Sequence, residues 1–99
     1  MIVVMGTLTV RPEAMAAVRE AMRAMMTATL REAGCLSYNL CEDLLEPGRV
    51  RVSEEWETMA ALDAHLETDH MKTWRAALGE AGVGGRKVSI YEGTVVRTI

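Results

Sequence analysis

The chain has 99 residues, of which 49% are hydrophobic and 25% charged, and its net charge is −3. That length allows one domain around a single core, and that charge gives no basic field for nucleic acid or an anionic membrane. No apolar run approaches the roughly 18 to 20 residues of a membrane span, and no basic segment at the N-terminus leads into a secretory core, so a cytoplasmic protein is expected.

Residues 2–10 form a β-branched and apolar run interrupted by Gly6, with Thr7 and Thr9 alternating against Leu8 and Val10. This predicts a strand buried over most of both faces. Arg11-Pro12-Glu13 breaks it, and Pro12 suits the first turn of a helix, where its missing N–H would have had no partner. Met15, Val18, Met22, Met25, Met26 and Leu30 then follow in steps of three and four, opposite Glu20, Arg23, Thr27 and Arg31. The spacing predicts an amphipathic helix ending at Gly34, the residue type that best accepts a left-handed C-terminal turn. The eight Met are expected mainly in the core, with side chains flexible enough to suit an adaptable apolar pocket.

Residues 35–42 alternate Leu36, Tyr38 and Leu40 against Ser37, Asn39 and Cys41, which is strand period. Pro47-Gly48 supplies a turn, and residues 50–56 set Val50, Val52, Glu54 and Trp56 on one face as the second arm of a hairpin. Cys35 and Cys41 would sit about 20 Å apart on one continuous strand, too far to bridge, so both are expected as reduced thiols. Thr58 is a candidate N-cap for a helix carrying Met59, Leu62 and Leu66, and Thr68 or Asp69 for another running through Leu78. Gly-rich residues 79–85 end the helical region without a phosphate-loop spacing, and residues 88–99 are expected as a long strand.

The order is β-α-β-β-α-β with a split second helix, a ferredoxin-like α+β domain over residues 1–99 with a four-stranded antiparallel sheet. Helices cover only one face of such a sheet. Since several strands are apolar on both faces, a second copy of the chain is expected over the other, giving a homodimer.

Four segments in register carry a family likeness: the strand-then-Pro opening, Glu32-Ala33-Gly34-Cys35-Leu36-Ser37-Tyr38, Glu54-Glu55-Trp56-Glu57-Thr58, and Ala64-His65-Leu66-Glu67-Thr68-Asp69-His70. With these the chain resembles the antibiotic biosynthesis monooxygenases, small dimeric α/β-barrel proteins. The resemblance implies cofactor-independent oxidation of a small phenolic, quinol or anthrone-type aromatic by dioxygen. In the aromatic-polyketide branch it implies a role for Trp56, for the position four before it, here Val52 instead of Asn, and for a late basic residue matched by Arg75. Heme degradation, as in related enzymes, would call for an Asn on the first strand, where this chain has Gly6 and Thr7. A non-catalytic binding dimer and an isomerase acting on a small metabolite are the other readings.

His65 and His70 are the candidate proton-transfer groups, because an unperturbed imidazole titrates near neutral pH. On one continuous helix they would point about 140° apart, so they converge only if the chain breaks at Thr68-Asp69. Trp56 and Trp74 could wall a planar ring, with an indole N–H available to a substrate oxygen, or, in a chain without Phe, fill the core, the reading favoured for Trp74. Tyr38 and Glu54 fall on neighbouring strands, and Glu54, between Val52 and Trp56, needs a donor such as an Arg or a helix N-terminus, or a His to hold. Catalytic candidates are therefore His65, His70 and Trp56, and substrate-binding candidates are Tyr38, Val52, Glu54, Trp74 and Arg75. A metal would need a third ligand, and neither H-x-x-x-H nor a Cys/His cluster is present, so no metal is expected; that no cofactor is needed is what the resemblance implies.

Overall fold

Elements alternate along the chain as the periodicities require, and the computed structural model describes all 99 residues. Strand β1 (Ile2–Thr9) leads through a 3-10 turn (Pro12–Ala14) into helix α1 (Met15–Thr29). The hairpin β2 (Cys35–Glu42) and β3 (Arg49–Trp56) follows, then helices α2 (Met59–Leu66) and α3 (Asp69–Glu80) and strand β4 (Gly84–Glu92). The sheet is antiparallel throughout, in the order β2-β3-β1-β4. This is the ferredoxin-like α+β arrangement.

One face of the sheet carries the core. Ile2, Val4 and Leu8 of β1, with Val50, Val52 and Trp56 of β3, pack beneath Met15, Val18, Met22 and Met25 of α1 and Met71, Trp74 and Leu78 of α3. Each such side chain contributes roughly 1.5–3 kcal/mol by leaving water, so the methionine face of α1 is a main source of stability. Gly6 lies where β4 comes closest to β1: a Cβ there would sit 2.2 Å from the Lys87 carbonyl oxygen and 2.5 Å from the Val88 Cα. The glycine that interrupts the first apolar run is therefore a close-approach position.

Three boundaries differ from the sequence expectation, each for a local reason. Helix α1 stops at Thr29, and residues 31–34 form turns closed by Glu32 N–H to the Thr29 carbonyl (2.9 Å) and Cys35 N–H to the Glu32 carbonyl (3.3 Å). Leu30 at the helix end is consequently exposed, and Thr29 takes the buried place. In β2 the register shifts between Cys35 and Ser37, so Leu36 is an extra residue in a bulge. It turns to solvent while Cys35 packs against the core, which reverses the alternation expected there. Strand β4 begins earlier, at Gly84, and ends at Glu92, opposite Ile2 at the start of β1, with one further backbone bond from the Gly93 N–H to the Met1 carbonyl (3.0 Å). Residues 93–99 lie outside any strand, with Val95, Val96 and Ile99 exposed.

The other face of the sheet bears no helix. Met5 and Tyr91 are about half exposed there, among Thr7, Arg51, Ser53, Lys87 and Ser89. Both cysteines are free, Cys35 half-buried and Cys41 exposed. No helix is long and apolar enough to cross a membrane.

Candidate active site

The break between α2 and α3 builds the site. Thr58 starts α2 by accepting the Ala61 N–H at its hydroxyl (3.1 Å). Thr68 does the same for α3, accepting from the Met71 N–H (3.2 Å), while its own hydroxyl donates to the His65 carbonyl (2.8 Å). One threonine thus ties the last turn of α2 to the first turn of α3. His65 and His70, five residues apart, come to lie with ring centroids 5.9 Å apart.

Between them sits Glu32, from the turn after α1. A single oxygen, Oε2, is 2.6 Å from His65 Nδ1 and 2.8 Å from His70 Nε2. A carboxylate can only accept, so both facing nitrogens carry the hydrogens. In the neutral rings that leaves the lone pairs on His65 Nε2 and His70 Nδ1. His65 is buried (1% exposed) among aromatic rings, its centroid 4.8 Å from Trp56 and 5.5 Å from Tyr38.

His65 also lines a cavity of about 380 Å³ between β1, β3 and β4 and helices α2 and α3. Six apolar side chains, Val4, Leu62, Leu66, Met71, Val88 and Ile90, share the lining with Glu54, His65 and Arg86. The size and mixture suit a small planar ring with one or two polar substituents. Glu54 is 6% exposed, and burial raises its carboxyl above the ordinary 4.5, opposed by the hydrogen bond from Trp56. Burial, with Glu54 and Glu32 nearby, pushes the Tyr38 phenol far above its usual value, so it stays neutral. Burial and Glu32 also raise the Cys35 thiol, which disfavours the reactive thiolate.

The sequence candidates divide into three groups. His65 and Glu54 line the cavity, and His70, outside the lining, is joined to His65 through Glu32. Trp56 and Tyr38 stand behind His65, fully buried, and the Trp56 indole N–H donates to Glu54 Oε1 (2.9 Å) and is not turned toward a substrate. The donor expected for Glu54 is thus the indole two residues along its own strand face. Val52, Trp74 and Arg75 are not brought to the cavity. Val52 and Trp74 are core residues, Trp74 facing a separate hollow of about 120 Å³ between α1 and α3 with His70. Arg75 is exposed and donates to the Leu66 carbonyl (2.8 Å), closing the C-terminal end of α2.

Two residues were not among the candidates. Arg86 is the cation of the cavity lining and comes from β4, where the sequence shows only a Gly-rich approach to a strand. Glu32 had a signal: an acid just past the C-terminal end of a helix sits at the unfavourable pole of the helix dipole. Such a placement calls for a partner, and here it has two.

The model of the family described as antibiotic biosynthesis monooxygenase matches residues 1–77. The chain belongs to that family. Among its relatives, Rv0793 of Mycobacterium tuberculosis, which carries a monooxygenase name, is 39% identical over 70 residues, covering 71% of this chain and 68% of that protein. The Escherichia coli K12 protein YgiN, named for quinol monooxygenase activity, is 32% identical over 62 residues, 54% of this chain and 60% of its own length. A Deinococcus radiodurans structure described as an antibiotic biosynthesis monooxygenase superposes with a TM-score of 0.93 at 31% identity, covering 100% of this chain and 98% of that one. The family's sheet and helices are therefore this chain's own, and the ferredoxin-like order read from periodicity is the family fold.

Proposed function

We propose that the chain is a cofactor-independent monooxygenase of a small phenol or quinol, working as a cytoplasmic homodimer. The observation that carries this reading is the Glu32–His65 pair at the cavity wall, with Nδ1 held by the carboxylate and Nε2 left as a proton acceptor. YgiN's name supports the quinol, and the apolar majority of the lining supports a ring over a small polar metabolite.

In this reading the ring lies between Val4, Leu62 and Val88, and His65 takes a hydroxyl proton. Glu32 stabilises the imidazolium that forms, as a carboxylate does wherever it backs a catalytic imidazole. The phenolate gives one electron to dioxygen, and the two radicals join at a ring carbon bearing hydrogen. Heterolysis of the peroxide then breaks the O–O bond. One oxygen stays on the ring as a carbonyl, and the other leaves as water with the displaced hydrogens. Arg86 faces the negative charge that builds on substrate oxygen. The dimer would cover the helix-free face of the sheet, where Met5 and Tyr91 are exposed, and the apolar residues 95, 96 and 99.

The test is dioxygen uptake by chelator-treated protein against a panel of hydroquinones and anthrones, with heat-denatured protein as the autoxidation control. Uptake well above that control, abolished in His65→Ala protein of native circular dichroism, is the expected result. Equal uptake by native and denatured protein across the panel would reject the oxygenase reading in favour of a binding role.

A further inference from the structure

Glu32, His65 and His70 come from three separate segments, and their ligand atoms all lie within 4.8 Å of one another. The sequence offered two imidazoles and no third ligand; the fold supplies it. We infer that these three side chains form a binding site for one borderline divalent cation of the zinc or cobalt kind, and that the cation switches off the His65 base. The inference of control rests on the proton-acceptor role proposed for His65; the binding does not.

Two imidazole nitrogens and a carboxylate oxygen are the donor set that borderline first-row ions prefer, whereas magnesium and calcium favour oxygen alone. Metal–ligand bonds of about 2.1 Å in a tetrahedral site place ligand atoms about 3.4 Å apart. The nitrogen–oxygen distances are 2.6 and 2.8 Å and the three ligand atoms lie within 4.8 Å of one another, so on binding the carboxylate withdraws by about 0.6–0.8 Å from each ring and the more exposed His70 swings toward His65. The side chain of His65 is 2% exposed and held by Trp56 and Tyr38, while His70 at 27% and Glu32 at 15% leave an approach from solvent. The remaining coordination positions would be filled by water on that side.

The control follows from proton bookkeeping. Without metal, His65 carries its hydrogen on Nδ1, toward Glu32, and its lone pair on Nε2. A cation takes the Nδ1 lone pair, so the neutral ring must hold its hydrogen on Nε2. The nitrogen left for the cavity changes from acceptor to donor. His70 changes in the opposite sense, its hydrogen moving from Nε2 to Nδ1. With both rings neutral and Glu32 ionised, no proton is gained or lost overall, and the two transfers proceed through water.

The chain has only two histidines, which makes the experiment direct. Chelator-treated protein labelled with nitrogen-15 histidine is titrated with cobalt(II), read by its visible absorption, and in parallel with zinc(II), read by ring-nitrogen shifts. One cobalt per chain is expected, with the affinity lowered at least about tenfold in Glu32→Gln and in His70→Ala. Zinc is expected to move the His65 hydrogen from Nδ1 to Nε2, and dioxygen uptake to fall in step with occupancy. Absence of the cobalt bands, or bands unchanged in both variants, would overturn the site. Zinc bound with His65 still protonated at Nδ1 would overturn the control. If no quinol is turned over at all, the oxygenase reading fails while the absorption and nitrogen signals still decide this one.

Discussion

Glu32→Gln isolates what the carboxylate charge does for His65. The amide keeps the shape and one acceptor oxygen, so the loss is electrostatic. His65 becomes cationic when it takes the substrate proton, with its Nδ1 2.6 Å from Glu32 Oε2. Charge centres about 4 Å apart at an effective dielectric of about 20 attract by about 4 kcal/mol. The 15% exposure of Glu32 admits some screening, so about 3 kcal/mol, or roughly 100-fold in kcat, is the expected loss. KM should hardly change, because Glu32 does not line the cavity. The assay is steady-state dioxygen uptake with the best quinol of the panel, alongside circular dichroism to confirm the fold. A kcat within about threefold of wild type would refute the claim that Glu32 supports the base.

Three further substitutions probe the frame around the site. Gly6→Ala would put a methyl 2.2 Å from the Lys87 carbonyl oxygen and push β4 off β1; a loss of about 1–3 kcal/mol is expected, with a fall in Tm of about 4–8 °C per kcal/mol, and an unchanged Tm would contradict the close approach. Thr29→Val should stabilise by about 1 kcal/mol, since the Thr29 hydroxyl is buried with no partner and valine keeps its shape; a lower Tm in the variant would show that the hydroxyl has a partner. Glu54→Gln tests the buried carboxyl. Its folded pKa is raised above the ordinary 4.5, so the native state binds the proton more tightly, and the Glu54 contribution to stability is fully present below 4.5 and is lost as pH rises through the folded pKa. The glutamine variant lacks this decline, so melts at pH 5 and pH 8 should show its Tm gaining on wild type at the higher pH, and a constant difference would sink the assignment.

The fold was legible because period and punctuation agree at most steps. The steps of three and four from Met15 to Met25, the alternation from Val50 to Trp56, and the caps Thr58 and Thr68 each specify their element by local chemistry alone. What escaped did so for physical reasons. The Leu36 bulge is a matter of pairing with β3, which has one residue fewer at that point. Strand β4 ends opposite the start of β1, although Val95 and Val96 have the composition of a strand. Local sequence does not encode the length of a neighbour.

The site follows the same division. His65 and His70 were recognisable because imidazole is rare here and chemically suited to proton transfer, and their convergence required only the Thr68 break, which capping chemistry announces. Their common partner was hidden, because Glu32 stands 33 residues from His65 and reaches it only after α1 has packed on the sheet and turned at residues 31–34. Trp56 shows the converse. Its residue type suggested contact with substrate, yet its N–H is taken by Glu54 in the same face of β3, and its ring serves to hold His65. A buried indole satisfies its donor locally wherever a carboxylate is within reach, since leaving either group unpaired would cost more than the contact it could make with a passing ligand. Residue type thus named the chemistry available, and the pairing of donors with acceptors decided which groups remained free to perform it.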